Sequence, residues 1–131
     1  MPPSFLVLDD TADAVSYGPG WRVGSNADDY RGADHYTETT GATATFTFTG
    51  TGFRYWFSTA AHHGVAGVSI DGGPEMRVDQ YTSARSDGIT SWTSPRLASG
   101  RHTVRIRATG DRNPAAQARV VTMDRIELGR N

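Results

Sequence analysis

The sequence contains no cysteine and no lysine. The absence of cysteine excludes disulfide bonds and thiol chemistry, and it leaves the compartment open because many exported bacterial proteins carry no disulfide. All 13 basic residues are arginines. A genome rich in G and C explains this usage more readily than a need for planar, bidentate donors. Neither absence indicates a function by itself.

The chain also lacks a strong charge and a long apolar run. Its net charge is −1 with a pI near 6.4, which argues against binding to nucleic acid or to an anionic membrane surface. No segment approaches the roughly 18 apolar residues of a membrane span. The start, "MPPSFLVLDD", has neither the basic region nor the cleavage site of a signal peptide. If the natural protein is exported, we expect this chain to be a piece of it.

Helical periodicity is missing, whereas strand periodicity is clear. In "ATATFTFTG", Ala42, Ala44, Phe46 and Phe48 alternate with threonines, which predicts a half-buried antiparallel strand. The segment "RHTVRIRATG" repeats the pattern, with its apolar side chains on one face and Thr103, Arg105 and Arg107 on the other. Further strand candidates are "FLVL", "GFRYWFS", "VAGVSID", "EMRVDQY", "ITSWTSPRL" and "RVVTMDRIEL".

About eight to ten short strands with glycine-rich turns predict an all-β fold. At 131 residues, one domain over 1–131 is expected. A two-sheet antiparallel β-sandwich of jelly-roll type fits best, and an immunoglobulin-like sandwich is the alternative. Residues 24–36, "GSNADDYRGADHY", read as a long polar loop, and such loops in compact domains are often functional.

The last predicted strand carries a carboxylate on its apolar face. Asp124 shares the parity of Ile126 and Leu128. A buried carboxylate needs an arginine, several backbone N–H groups or a hard cation such as Ca²⁺. The first strand ends in Asp9 and Asp10, and the termini of such sandwiches often lie side by side. We therefore expect a structural Ca²⁺ site formed by Asp124 with Asp9 or Asp10; pairing of Asp124 with an arginine, or a turn cap, is the alternative.

The four histidines do not predict zinc, because no third or fourth ligand accompanies them at a zinc spacing. His102 shares the parity of Val104 and is expected at the edge of the core. His35, His62 and His63 fall in predicted loops and are candidates for ligand contact.

The sequence has no motif for catalysis, since it contains no nucleophile elbow and no phosphate-binding glycine loop. The protein is therefore predicted not to be an enzyme. Its aromatic residues exceed what a small core needs, and exposed aromatic rings stack on sugars. Tyr30, Tyr36 and Tyr81 are candidate platforms, and either Tyr55 or Trp56 must face outwards. Five aromatic residues are expected in the core: Trp21, Phe46, Phe48, Phe53 and Phe57.

The order of several segments resembles the galactose-binding-like β-sandwich modules of carbohydrate-binding module families 6 and 35, which are appended to secreted glycoside hydrolases. The resemblance spans nearly the whole chain and is carried by "VLDDTADAVSYGPGW", "DDYRGADHY", "GATATFTFTGTGFRYWF", "HHGVAGVSIDGG", "SGRHTVRIRATGDRNPAA" and "VVTMDRIEL".

The resemblance implies a non-catalytic, secreted module that holds an attached catalytic domain on a polysaccharide, and we expect a monomer. In such modules a structural Ca²⁺ commonly joins an acidic residue of the first strand to an Asp of the last, although Asp replaces the usual Glu here. Sugar is usually held by loops at one end, with an aromatic platform and an Asn just before the last strand. Asn113 in "TGDRNP" occupies that place, and the usual Trp platform is missing.

We therefore predict a shallow binding site formed by loops 24–36, 58–64, 79–88 and 109–117. Its contact residues would be Tyr30, His35, His63, Tyr81, Arg85, Arg112 and Asn113. Arg85 and Arg112 favour an acidic glycan slightly, but the sequence does not choose the sugar. Two alternatives remain at this point: a structural or adhesive sandwich that binds another protein, and a small stand-alone enzyme.

Overall fold

The computed structural model describes residues 5–9, 15–25, 33–83 and 86–129. These residues form twelve β-strands and no helix, which confirms the all-β prediction, and none of their elements is a helix able to cross a membrane. The strands are β1 (Phe5–Asp9), β2 (Val15–Tyr17), β3 (Arg22–Ser25), β4 (Ala33–Thr37), β5 (Thr43–Gly50), β6 (Gly52–Thr59), β7 (Val65–Ile70), β8 (Met76–Asp79), β9 (Ser86–Thr93), β10 (Gly100–Ala108), β11 (Val121–Met123) and β12 (Arg125–Gly129).

The strands form a β-sandwich, as predicted, although their hydrogen bonds divide them into three sheets instead of two. One sheet has the order β1-β12-β6-β9, the second β2-β5-β10-β7-β8, and the third β11-β4-β3. All of the strand pairs are antiparallel. Only Asp124 separates β11 from β12, so the three-stranded sheet continues from the last strand of the four-stranded one.

The core lies between the sheets and follows the predicted alternation. In β5, Ala44, Phe46 and Phe48 are buried, and they meet Val104 and Ile106 of β10. The facing sheet adds Phe53, Tyr55 and Phe57 from β6, with Ile126 and Leu128 from β12. Burial of these apolar faces is the main stabilising contribution to such a fold.

Strand β6 settles which of its central aromatic residues faces outwards. Tyr55 is fully buried, whereas Trp56 lies on the outer face, where the Arg125 guanidinium is 4.3 Å from the centre of its ring. The predicted core position of Trp21 is only partly correct. Its ring is half-buried against the core, and its Nε1 donates to Thr43 O over 3.0 Å.

The prediction of one long loop over residues 24–36 is wrong at both ends. Ser25 still belongs to β3, and β4 begins at Ala33. Strand β4 lies between β3 and β11, so its backbone groups are paired on both sides even though "ADHYT" shows no apolar alternation. Residues 26–32 lie outside the described part of the chain.

Candidate functional site

The long connection between β10 and β11, residues 109–120, forms one end of the sandwich together with two other segments. Thr109 Oγ1 donates to Val65 O over 2.7 Å, and Val65 N donates to Asp111 O over 3.1 Å. Further along, Gln117 N donates to Ala61 O over 2.7 Å. Ala60 forms a bridge with Tyr81. These contacts bring together parts of three of the four segments predicted to form the site, namely 58–64, 79–88 and 109–117. None of these contacts involves the fourth segment, 24–36.

Asn113 and Tyr81 meet through the carboxylate of Asp79. Asp79 Oδ1 accepts from Tyr81 N at 3.0 Å, and Asp79 Oδ2 accepts from Asn113 Nδ2 at 3.4 Å. Asn113 Oδ1 accepts from Ala115 N at 3.0 Å, which is an Asx turn. Asn113 therefore shapes its own loop while it stands beside Tyr81.

Arg112, which precedes Asn113 in the chain, lies in a shallow polar groove. The groove has a volume of about 310 Å³ and is lined by Glu38, Arg112, Gln117, Ala118 and Arg119. Arg112 Nη1 donates to Ala116 O within its own loop. We call the surface formed by Asp79, Tyr81, Arg112 and Asn113 the polar loop end. It offers amide, carboxylate and guanidinium groups, the groups that hydrogen-bond to hydroxyls.

A salt bridge also ties the connection 109–120 to strand β8. Arg77 Nη1 lies 2.8 Å from Asp111 Oδ2, and this hydrogen bond lowers the pKa of the Asp111 carboxyl. Nearby, Arg107 forms a bidentate pair with Glu75, with N···O distances of 2.6 and 2.7 Å, which lowers the pKa of Glu75. Bidentate arginine–carboxylate pairs hold a defined geometry.

The predicted ligand contact of His63 disagrees with its position. The side chain is 1% exposed, and its Nδ1 lies 2.9 Å from Ser58 O. His63 also forms a bridge with Val120, which draws it beneath the loops. A side chain at this depth supports the polar loop end from below and does not meet a ligand at the surface.

A buried polar network also lies under the polar loop end, and no sequence pattern predicts it. Gln80 Oε1 accepts from Thr122 N at 2.8 Å, and Gln80 Nε2 donates to Tyr55 Oη over 2.7 Å. Thr122 Oγ1 lies within 3.2 Å of Ser58 O. Such a satisfied network joins β6, the end of β8 and β11, and gives the loops a rigid base.

No contact among the described residues joins the other predicted ligand-binding residues to the polar loop end. His35 lies on β4, where its ring stacks on Tyr17 with 3.9 Å between centroids and an angle of 4°. Tyr30 and Arg85 lie outside the described residues.

Asp124 is fully buried at 0% exposure, which confirms that this carboxylate faces the core. Arg125 Nη1 lies 3.0 Å from Asp124 Oδ2, so the alternative of pairing with an arginine is realised. Asp9 lies opposite Arg125 in the β1–β12 register, and the first and last strands are therefore neighbours. Asp10 and the side chain of Asp9 lie outside the part of the chain that the structure describes. Among the described residues, no three His, Cys, Asp or Glu side chains gather as a metal-binding group.

Comparison with known proteins relates the chain to carbohydrate-active enzymes. It is 32% identical over 104 residues to an A type blood N-acetyl-α-D-galactosamine deacetylase of Flavonifractor plautii, covering 79% of this chain and 13% of that protein. It is 30% identical over 102 residues to an A type blood α-D-galactosamine galactosaminidase of the same organism, covering 78% of this chain and 9% of that protein. No protein-family profile matches the sequence.

Solved structures support the fold. A two-domain esterase active on acetylated mannans superposes with a TM-score of 0.72 at 13% identity, over 97% of this chain and 37% of that one. A Paenibacillus xanthan lyase gives 0.71 at 14% identity, over 99% of this chain and 13% of that one. In each comparison the chain corresponds to a small part of a larger carbohydrate-active protein.

Proposed function

We propose that this chain is a non-catalytic carbohydrate-binding module, similar to families 6 and 35, that targets an attached glycoside hydrolase to a glycan. The observation that carries the proposal is the small share of its relatives' length that the chain matches. The chain matches only 13% and 9% of its two enzyme relatives, which leaves most of each relative to supply the chemistry. As such a module, the chain would be part of an exported protein.

The polar loop end is the proposed binding surface. Tyr81 supplies a half-buried aromatic side chain, Asn113 supplies an amide beside the Asp79 carboxylate, and Arg112 supplies a guanidinium from the same loop as Asn113. The backbone contacts and the buried network beneath these loops limit their motion, which lowers the entropy lost on binding. A shallow site of this kind is expected to bind a free sugar with a Kd on the order of micromolar to millimolar.

The names of the relatives suggest which sugars to try first. One relative is named for N-acetyl-α-D-galactosamine and the other for α-D-galactosamine. We therefore propose a terminal galactose-type sugar as the ligand, with N-acetylgalactosamine as the first probe.

The test is a calorimetric titration of the isolated chain with N-acetylgalactosamine, galactosamine, galactose and glucose. A glycan array then extends the search to other sugars. Asn113→Ala and Tyr81→Ala should each weaken binding about tenfold or more, which equals about 1.4 kcal/mol. Tyr81→Phe should keep the affinity, because it keeps the ring. Thr49→Ala is the matched control, because Thr49 is an exposed residue of β5 at the end of that strand that lies away from the polar loop end.

Melting curves of each variant separate a lost contact from a lost fold, since Asn113 also forms an Asx turn. Failure of every glycan to bind would refute the module proposal and favour a structural or adhesive sandwich. Binding that survives both alanine variants would move the site away from the polar loop end.

We also propose a structural Ca²⁺ held by Asp124 with Asp9 or Asp10. Two observations support it: the full burial of the Asp124 carboxylate and the position of β1 beside β12. Arg125 already offsets part of the carboxylate charge, so a cation would share Asp124 with that guanidinium.

A further inference from the structure

A second groove lies at the other end of the sandwich from the polar loop end. It has a volume of about 420 Å³ and is lined by residues 51–54 at the start of β6, residues 93–96 at the end of β9 and just after it, and Glu127 of β12. Strand β6 runs from this groove to the loop at Ala60, and its eight residues span roughly 25 Å at about 3.3 Å per residue. The two surfaces are therefore separate.

Hydrogen bonds from backbone N–H groups fix the walls of this groove. Ser94 N donates to Phe53 O over 2.9 Å, and Phe53 N donates to Ser94 Oγ over 3.0 Å. Leu97 N donates to Thr51 O over 2.8 Å. The segment that carries Pro95 and Arg96 is thus tied to the start of β6 at three points. A ligand would meet a surface that is already formed.

The groove contains two arginines without a counter-ion in the described structure. Arg54 and Arg96 are both exposed, and neither guanidinium forms a hydrogen bond or an ion pair with any residue that the structure describes. Arg54 lies opposite Glu127 in the strand register, yet its guanidinium lies over the ring of Trp56, 5.9 Å from the centroid. The Glu127 carboxylate accepts instead from Trp56 Nε1.

The charge balance of the groove is therefore positive. Two guanidinium groups, whose donors meet no acceptor in the part of the chain that the structure describes, line the groove with one carboxylate that an indole N–H already engages. Guanidinium groups bind carboxylates in a planar, bidentate manner, and such charge-assisted hydrogen bonds are among the strong ones in proteins. The Thr93 hydroxyl is exposed beside them, and Pro95 adds an apolar wall.

We propose that this groove binds a small organic carboxylate with a hydroxylated body, the chemistry of a sugar acid. Arg96 and Arg54 would bind the carboxylate, Thr93 would bind a hydroxyl, and Pro95 would contact the ring. Volumes of about 300–1,000 Å³ are typical of small-molecule sites, so one or two sugar rings fit. This site is independent of the polar loop end and of its proposed ligand.

The test is a titration of the ¹⁵N-labelled chain, followed by amide chemical shifts, with three probes at matched ionic strength. Glucuronate carries the ring and the carboxylate, glucose carries the ring alone, and acetate carries the carboxylate alone. Glucuronate should shift the amides of residues 51–54 and 93–96 in a saturable manner. Acetate should bind these residues at least tenfold more weakly, and glucose should leave them unchanged.

Variants assign the effect to the groove. Arg96→Gln and Arg54→Gln should each weaken glucuronate binding about tenfold or more. Arg101→Gln is the matched control, because it removes an exposed arginine of the same charge from β10, outside the groove, and it should leave the affinity unchanged.

Four results would count against the proposal. Three of them would remove the site: equal shifts with glucose and glucuronate, unchanged affinity in Arg96→Gln, and glucuronate shifts confined to Tyr81 and Asn113. Equal affinity for acetate and glucuronate would refute the sugar-acid assignment and indicate a short carboxylic acid. Amide shifts report on each surface separately. A negative result at this groove therefore does not refute binding at the polar loop end, and a negative result at the polar loop end does not refute binding at this groove.

Discussion

His102 shows how a single side chain can carry a charge that the sequence does not reveal. Its Nδ1 lies 2.6 Å from Asp71 Oδ2, and its Nε2 lies 2.6 Å from Ala98 O. Both partners are acceptors, so both ring nitrogens must carry a proton to satisfy them. The hydrogen bond to Asp71 raises the pKa of His102, and the same bond lowers the pKa of Asp71.

We predict a pH-dependent contribution of this pair to stability. The raised pKa of His102 gives stability that is complete below the unfolded value of about 6.5 and is lost as pH rises through the folded pKa. The lowered pKa of Asp71 gives stability that is present above about 3.9 and is lost as pH falls through its folded pKa. The pair is therefore most stabilising between about pH 4 and pH 6.5.

Urea unfolding of the native chain and of His102→Gln measures this effect. The difference in free energy of unfolding between the two proteins should be larger at about pH 5.5 than at about pH 8.5. The free energy of unfolding of Asp71→Asn should likewise differ more from that of the native chain at about pH 5.5 than at about pH 8.5. Asn tolerates the positive φ of 53° at that position. A difference that does not change with pH would show that His102 is neutral in the folded protein.

Single residues were predictable where burial follows from strand parity. Parity placed Asp124 and Ile126 on the inner face, and both are fully buried. Loop position was a poorer guide for His63, whose place in a turn after β6 predicts contact with a ligand. The bridge to Val120 places it beneath the loops, where it is buried. The network around Gln80 depends on three segments far apart in the chain, so no local pattern could predict it.

Strands were predictable in proportion to how much of one face they bury. Strands β5 and β10 alternate apolar and polar side chains because one face meets the core and the other meets solvent. Strand β4 carries few apolar residues, and its place comes from backbone pairing with β3 and β11. Pairing of that kind involves partners distant in sequence, and local composition does not show it.

Close contact between β7 and the connection 109–120 depends on Gly64. Gly64 N donates to Val120 O over 2.7 Å, and a Cβ at Gly64 would lie 2.7 Å from the Cα of Arg119. Backbone cannot give way as the end of a flexible side chain can. The glycine therefore lets the polar loop end pack against the start of β7.

We predict that Gly64→Ala lowers the free energy of unfolding by about 1–3 kcal/mol, because the added methyl forces the two segments apart. It should also shift the amides of residues 109–117. Gly18→Ala is the matched control, since a Cβ there meets its nearest atom at an ordinary 3.4 Å, and its cost should stay within about 1 kcal/mol. Equal stability of the two variants would mean that the connection adapts freely.

The molecule as a whole separates its two candidate binding surfaces. Strands β6 and β10 run the length of the sandwich, with the polar loop end at one end and the groove around Arg96 at the other. If both proposals hold, the chain would engage a glycan at two points. Two weak sites on one glycan gain affinity through effective concentration.

The proposed Ca²⁺ would act on the whole fold, because it would hold the edge strand β1 against β12. Those strands pair from Phe5 with Gly129 to Asp9 with Arg125, and Asp124 lies at the end of this ladder. A cation at 100 times its Kd adds about 2.7 kcal/mol to the free energy of unfolding.

Removal of Ca²⁺ with a chelator should therefore lower the Tm by about 5–15 °C for a domain of this size. Re-addition of Ca²⁺ should restore the Tm, whereas Mg²⁺, which demands shorter distances and octahedral geometry, should restore it poorly. Asp10→Asn and Asp9→Asn identify the first-strand ligand, because only the variant that removes it should abolish the response. An unchanged Tm after chelation would leave Arg125 as the partner that stabilises the buried Asp124 carboxylate.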